Sequence, residues 1–216
     1  LNAKTIYILG SYDSVSKAVE DELKQKYTVV RIGGAKVFDT AVKVGEEVRK
    51  IKQFDTVAIA TQDNFPDALA IAPFSARNTM PILFSEKDNL RADTKKALED
   101  WDIKHVIISG GIGVISGAVE NELNAMGIDV LRLCGEDRYS TALDIARHFA
   151  AQTEYKSIAI ATGEDYPDAL TGALFAAKNS IPIILVNKSS VDEKVADYIN
   201  AHRMEKAYIF GGSGVV

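Results

Sequence analysis

From Lys104 onward, short runs rich in β-branched residues alternate with stretches whose apolar positions recur at helical spacing. The runs are HVIIS (105–109), DVLRL (129–133), SIAIA (157–161) and IPIILV (181–186). Between them lie three helical sets: Ala118, Val119, Leu123 and Met126; Ala142, Ile145, Ala146 and Phe149; and Ala169, Leu170, Ala173 and Ala177. Strands apolar on both faces, alternating with helices, predict a parallel sheet covered on both sides. The fold class expected is α/β, with tandem small doubly wound domains of Rossmann or flavodoxin-like type. Right-handed crossovers bring every strand-to-helix loop to one edge of such a sheet, where α/β folds usually bind ligands.

The pattern is written twice. QDNFPDALA (62–70) returns 101 positions later as GEDYPDALT (163–171), and 15 of the 31 residues from Val57 to Lys87 are identical to the residue 101 later. The match extends to Arg31-Ile-Gly-Gly against Arg132-Leu-Cys-Gly, and to Thr40-Ala41 against Thr141-Ala142. Gly110-Gly111-Ile-Gly-Val also pairs with Gly211-Gly212-Ser-Gly-Val. KTIYILG and VSKAVEDEL pair with KHVIISG and ISGAVENEL at a spacing of 100. A unit of about a hundred residues can carry its own core, so these are duplicated domains and not a solenoid. The division expected is the C-terminal part of a preceding repeat in 1–29, a complete repeat in 30–130 and a nearly complete one in 131–216. Leu1 is not an initiator Met, and Val216 falls where the next helix should start, so a longer parent protein is expected.

Composition narrows the partners. The 216 residues, 47% hydrophobic and 25% charged, describe a globular chain. A net charge of −5 without any basic cluster argues against a nucleic-acid partner. No apolar run approaches the roughly 18–20 residues that span a bilayer, so no membrane insertion is expected. The single Cys134 has no intrachain disulfide partner, and within VLRLCG it reads as a small buried hydrophobe.

The strand-exit loops GGIG (110–113), CGEDRYST (134–141), TGEDYPDAL (162–170) and NKSS (187–190) gather Gly110, Gly111, Arg138, Tyr139, Asp165, Asp168 and Lys188 on one edge. Their counterparts in the other copy are Gly10, Lys36, Phe38, Asn64, Asp67 and Lys87. Asp165-Tyr-Pro-Asp168 and Asn64-Phe-Pro-Asp67 allow two readings. In the structural one an Asx residue caps a helix, Pro occupies the first turn and the second carboxylate reaches back as in a capping box. In the functional one the carboxylates accept hydrogen bonds from sugar hydroxyls while Tyr166 or Phe65 offers a flat apolar face. A Ca²⁺ ion held by Glu164, Asp165 and Asp168 is a third option, but the Gly-punctuated ligand loop of such sites is missing; no metal or cofactor is expected.

The glycine turns Gly110-Gly111 and Gly211-Gly212 follow strands and precede helices, a place where phosphate can sit. Neither G-x-G-x-x-G nor G-x-x-x-x-G-K-[ST] is completed, and positive φ at a turn is reason enough for glycine. There is no G-x-S-x-G elbow, and His105, His148 and His202 lack metal-ligand spacing.

At this point the motifs form an ordered set: R-[IL]-x-G, R-Y-x-T-A, D-[YF]-P-D-A-L, N-x-[IM]-P-[IL]-[IL]-L and I-x-G-G-x-G. They fall in Arg132 to Ala142, Ala161 to Leu170, Asn179 to Leu185 and Ile209 to Val216. The set resembles the type 2 cell wall binding repeat of Gram-positive, notably clostridial, surface proteins. The resemblance implies export and an extracellular place, attached non-covalently to an anionic, teichoic-acid-like wall polysaccharide. It also implies linkage to an effector such as an autolysin, a protease or an S-layer component. Three repeats in pseudo-threefold packing are implied as well, which two unit-lengths would complete only with other copies of the repeat.

The polysaccharide-binding residues expected are Arg138, Tyr139, Asp165, Tyr166, Asp168 and Lys188, with Asn64, Phe65 and Asp67 in the other copy. The first repeat departs from the pattern, with Val37-Phe38 where the second has Arg138-Tyr139. If Arg138 meets polymer phosphate, the first repeat binds more weakly or contributes structure only. The alternative for Arg138 is an ion pair with Asp137, Asp168 or another loop carboxylate. For Arg31 and Arg132, within strand-like residues, a structural role is equally open. The function expected is a non-catalytic wall anchor. The runner-up is an α/β hydrolase or phosphate-binding enzyme using the glycine turns and carboxylates, although duplication favours binding, because repetition adds avidity.

Overall fold

The computed structural model describes residues 2–216. Strands and helices alternate from end to end: β1 (Thr5–Leu9), α1 (Lys17–Lys24), β2 (Thr28–Ile32), α2 (Val37–Ile51), β3 (Thr56–Thr61), α3 (Pro66–Arg77), β4 (Ile82–Ser85), α4 (Ala92–Asp100) and β5 (His105–Ser109). They continue as α5 (Gly117–Ala125), β6 (Asp129–Leu133), α6 (Arg138–Gln152), β7 (Ser157–Thr162), α7 (Pro167–Asn179), β8 (Ile183–Val186), α8 (Glu193–Ala201) and β9 (Lys206–Phe210). Every pairing between these strands is parallel.

The central sheet runs β4-β3-β5-β6, a second runs β8-β7-β9, and β1 pairs with β2. Counted within its own unit, the central order is 2-1-3-4, the flavodoxin-like winding. Its strand order reverses between β3 and β5, and the equivalent reversal in the second sheet lies between β7 and β9. Sheets and sequence period are offset. β6 straddles the division expected between 130 and 131 and pairs with β5, while α6 packs on β8 of the next sheet.

Side-chain alternation explains how β3 and β7, at the centres of the two larger sheets, are buried on both faces. In β3, Val57 and Ile59 join one core with Leu98, Val119 and Leu123, and Ala58 between them joins another with Leu69 and Phe74. In β7, Ala159 and Ala161 enter that second core, and Ile158 and Ile160 a third, with Val195 and Tyr198. The second core is shared: it takes one face of the central sheet and one face of the second, and α3, α6 and α7 lie within it. Helices α3 and α7, the two copies of the same element, pack directly against one another.

Burial does not follow the helical spacing everywhere. Leu170, at an apolar position of α7, is 51% exposed, whereas its counterpart Leu69 is 7% exposed. The reason is tertiary: α3 is flanked by both α6 and α7. Cys134 also differs from expectation, being only half-buried. It lies one residue past β6, where the chain leaves the sheet for the loop edge.

Candidate functional site

The two strand arginines are structural. Arg132 donates from Nη1 to the Gly110 carbonyl at 2.8 Å and pairs with Glu120 at 2.8 Å. Arg31 repeats this with the Gly10 carbonyl at 2.9 Å and Glu20 at 2.6 Å. Each arginine therefore braces a glycine turn at a strand end. Gly10, Gly110 and Gly211 all have positive φ, at 108°, 123° and 140°, a region that disfavours any side chain. A Cβ on Gly110 would also lie 2.6 Å from Asp67 Oδ2 and 2.9 Å from a Val114 methyl. Gly110→Ala is expected to lower stability by about 1–2 kcal/mol and to displace the Asp67 carboxylate; urea denaturation checks the first effect, and wall binding the second.

Above that turn, at the strand-order reversal of the central sheet, opens a cleft of about 560 Å³. Its walls include Asn64 and Asp67 from the β3–α3 segment, Gly111 from the glycine turn, and Cys134, Asp137 and Arg138 from the β6–α6 segment. The cleft is thus composite, with Asp67 written in one sequence repeat and Arg138 in the next. Ser109 at the end of β5 fixes the first turn of α3, its hydroxyl donating to the Asp67 carbonyl at 2.8 Å.

Among the described residues no donor reaches the Asp67 carboxylate, and burial pushes its pKa from the ordinary 3.8 up to about 6, with Arg138 pulling the other way. Among the described residues Arg138 forms no ion pair within 4.0 Å, with Asp137, Asp168 or any other carboxylate. Its Nη1 instead donates to the Gly163 carbonyl in the β7–α7 loop. Asp137 is held below the usual carboxylate range: burial raises it, and hydrogen bonds from the Ser140 amide and hydroxyl outweigh that.

The repeated Asx-aromatic-Pro-Asp segment is not a capping box. Phe65 and Tyr166 are the N-cap residues of α3 and α7, with no side-chain cap bond. Asn64 and Asp165 accept from the very next amide, at 3.0 and 2.8 Å. Asp67 and Asp168 fall inside the first helical turn, so neither reaches back to the cap. The aromatics have a partner in each other: Phe65 meets Tyr166 edge to face, centroids 5.8 Å apart, across the α3–α7 contact.

The expected site residues therefore do not all converge. Asn64, Asp67, Gly111 and Arg138 line the cleft, with Gly110 beneath Asp67. Tyr139 lies beside Gly163, where an added Cβ would be 2.7 Å from its ring, and packs half-buried on the shared core. Asp165, Tyr166, Asp168 and Lys188 belong to the second sheet's edge, with Gly211 near Asp168 and Gly212 following. Lys188 is exposed there, its amide donating to Glu164 at 3.4 Å. Among the described residues no three His, Cys, Asp or Glu side chains converge as metal ligands, Glu164, Asp165 and Asp168 included. Sequence reasoning did not single out Cys134, Glu136, Asp137 or Thr141 as cleft wall, since only the strand order brings them opposite Asp67.

Known proteins resemble this chain in sequence and fold. The chain is 29% identical over 212 residues to the N-acetylmuramoyl-L-alanine amidase LytC of Bacillus subtilis, which covers 98% of this chain and 41% of the amidase. It is 32% identical over 168 residues to the amidase enhancer of the same organism, 78% of this chain and 22% of that protein. The chain thus spans less than half the length of either. Among solved structures, Cwp8 from Clostridium difficile matches all of the chain and 37% of its own, with a TM-score of 0.86 and 25% identity. Cwp6 from the same organism matches 86% of this chain and 29% of its own, with a TM-score of 0.79 and 31% identity. No helix among the described residues is long and apolar enough to cross a membrane. The model of cell wall binding domain 2 matches residues 31–120 and again 132–216, and the chain belongs to that family.

Proposed function

We propose that this chain is a non-catalytic module that anchors a larger extracellular protein to the Gram-positive wall by holding an anionic secondary wall polysaccharide. Family membership supports wall binding as such. What supports the anionic polymer is Arg138, the one cation among the described residues lining the composite cleft, with no carboxylate of those residues within ion-pair distance. A phosphodiester or carboxylate of the polymer, entering between Arg138 and Asp67, would complete it. Asn64 offers an amide at the rim, and Phe65 and Tyr166 form an aromatic pair at the α3–α7 contact.

In the same reading the second sheet's edge is the matching half of another cleft. Asp165, Tyr166, Asp168 and Lys188 stand around the Gly211-Gly212 turn, awaiting a cation-bearing loop from a following repeat or another copy. The α3–α7 contact is then one interface of a pseudo-threefold assembly. At the first junction Val37 replaces the cation, so that junction contributes structure more than affinity.

The test is Arg138→Ala. A charge-assisted hydrogen bond contributes about 1.5–3 kcal/mol, so affinity for protein-stripped walls should fall about tenfold to a hundredfold. The fold should remain, as judged by circular dichroism. Unchanged affinity in a folded variant removes Arg138 from the site.

A further inference from the structure

We propose that the cleft between Asp67 and Arg138 takes a singly charged oxyanion together with a proton, Asp67 acting as a neutral acid that donates to the anion while the Arg138 guanidinium supplies the charge. This rests on the wall-polymer reading of the same cleft and adds its ligand chemistry and its pH dependence.

The charges around the cleft favour such a proton. Its walls carry three carboxylates, Asp67, Glu136 and Asp137, against the single guanidinium of Arg138. An anion entering beside an ionised Asp67 meets a like charge at short range. The other two carboxylates already have partners. Asp137 accepts from the Ser140 amide at 2.8 Å and the Ser140 hydroxyl at 2.7 Å, and Glu136 pairs with Lys194 at 3.4 Å. Behind the glycine turn the charge of Arg132 is taken up by Glu120. The free thiol of Cys134 also stands on the wall.

Asp67 is therefore the carboxylate that faces the void without a donor. Its oxygen lies directly over Gly110, where any side chain would displace it. Arg138 is anchored from behind by the Gly163 carbonyl, which leaves its remaining N–H groups for a ligand. Burial, which brings the Asp67 pKa up to about 6, makes the neutral acid accessible near neutral pH. A bound anion stabilises that neutral form further, so binding takes up a proton.

The experiment is co-sedimentation of the folded chain with protein-stripped Gram-positive walls at about pH 5 and about pH 7.5. It is run on intact walls and on walls whose phosphodiester-linked polymer has been removed by acid. If only the protonated cleft is competent, apparent affinity weakens about tenfold per pH unit above about 6, roughly thirtyfold between the two conditions. Phosphodiesters stay singly charged throughout that range, so the slope belongs to the protein.

Asp67→Asn, which keeps a donor and removes the ionisation, should bind at the higher pH as the wild type does at the lower. Asp67→Ser, a second variant without the ionisation, should lose the slope as well. Wild-type binding equal at both pH values, or a slope retained in either folded variant, overturns the proton requirement while leaving wall anchoring intact. Binding to neither wall preparation at either pH removes the anchoring reading, and this inference with it. Loss on stripped walls assigns the oxyanion to the phosphodiester polymer; retention assigns it to the carboxylates of the remaining wall.

Discussion

Phe149→Ala is expected to cost about 3–5 kcal/mol, the range for truncating a fully buried aromatic. Phe149 is 0% exposed on α6, in the core that both sheets share. Its ring meets Phe74 and Tyr155 edge to face, each at 5.6 Å between centroids, and the Arg77 guanidinium lies 5.4 Å from its centre. Phe74 and Arg77 belong to α3 of the first unit and Tyr155 to the approach to β7, so the cavity would open where the two units meet. A matching fall in the stability measured by urea unfolding, with faster proteolysis at the α3–α6 contact, is the expected result. A loss below about 1 kcal/mol would mean that the units do not depend on this core.

Asp67→Asn is expected to stabilise the protein, in the opposite direction to most substitutions of a buried charge-bearing residue. The folded pKa of Asp67 lies near 6 against an ordinary 3.8. At about 1.36 kcal/mol per unit, the ionised carboxylate then costs the fold roughly 3 kcal/mol. A carboxyl raised on folding binds its proton more tightly in the native state, so its cost is absent below about pH 4. It grows as pH rises towards about 6 and is constant above. The variant should therefore exceed the wild type by about 2–3 kcal/mol at pH 7.5, with the difference shrinking towards zero near pH 3.5. The difference between the two proteins is the quantity to follow. Glu122, held low chiefly by its hydrogen bond from Lys95, and Asp137 push the absolute stability the other way as acid is added.

Much of the fold was legible because its rules are local. The runs HVIIS and DVLRL became β5 and β6, and the glycine that ends each repeat's YILG- or VIISG-type strand has the positive φ that a strand-to-helix turn needs. The parallel pairing followed from strands apolar on both faces, as the split of Val57 and Ala58 between two cores shows.

What the sequence hid depends on tertiary placement. Leu69 and Leu170 occupy the same place in the repeat and the same helical phase, yet only Leu69 is covered. The Asx-aromatic-Pro-Asp segment has the spelling of a capping box, but its helix starts one residue later than that spelling requires. This leaves Asp67 facing the cleft instead of the cap. Asp67 and Arg138 stand 71 positions apart in successive repeats, and nothing in either loop announces the other. They meet because β6 pairs with β5, beyond β3, so the loop leaving β6 carries the start of α6 to the point where the strand order reverses. The repeat visible in the sequence and the unit that can hold a ligand are therefore offset by about one strand and one loop.

The most direct measurement is co-sedimentation of the purified chain with protein-stripped Gram-positive walls, intact or with their phosphodiester-linked polymer removed by acid, at one pH near 6. Saturable binding to intact walls and its loss on stripped walls is the predicted result, as expected for a cleft that holds an anionic secondary polymer. Equal binding to both preparations, or binding to neither by the folded chain, contradicts it.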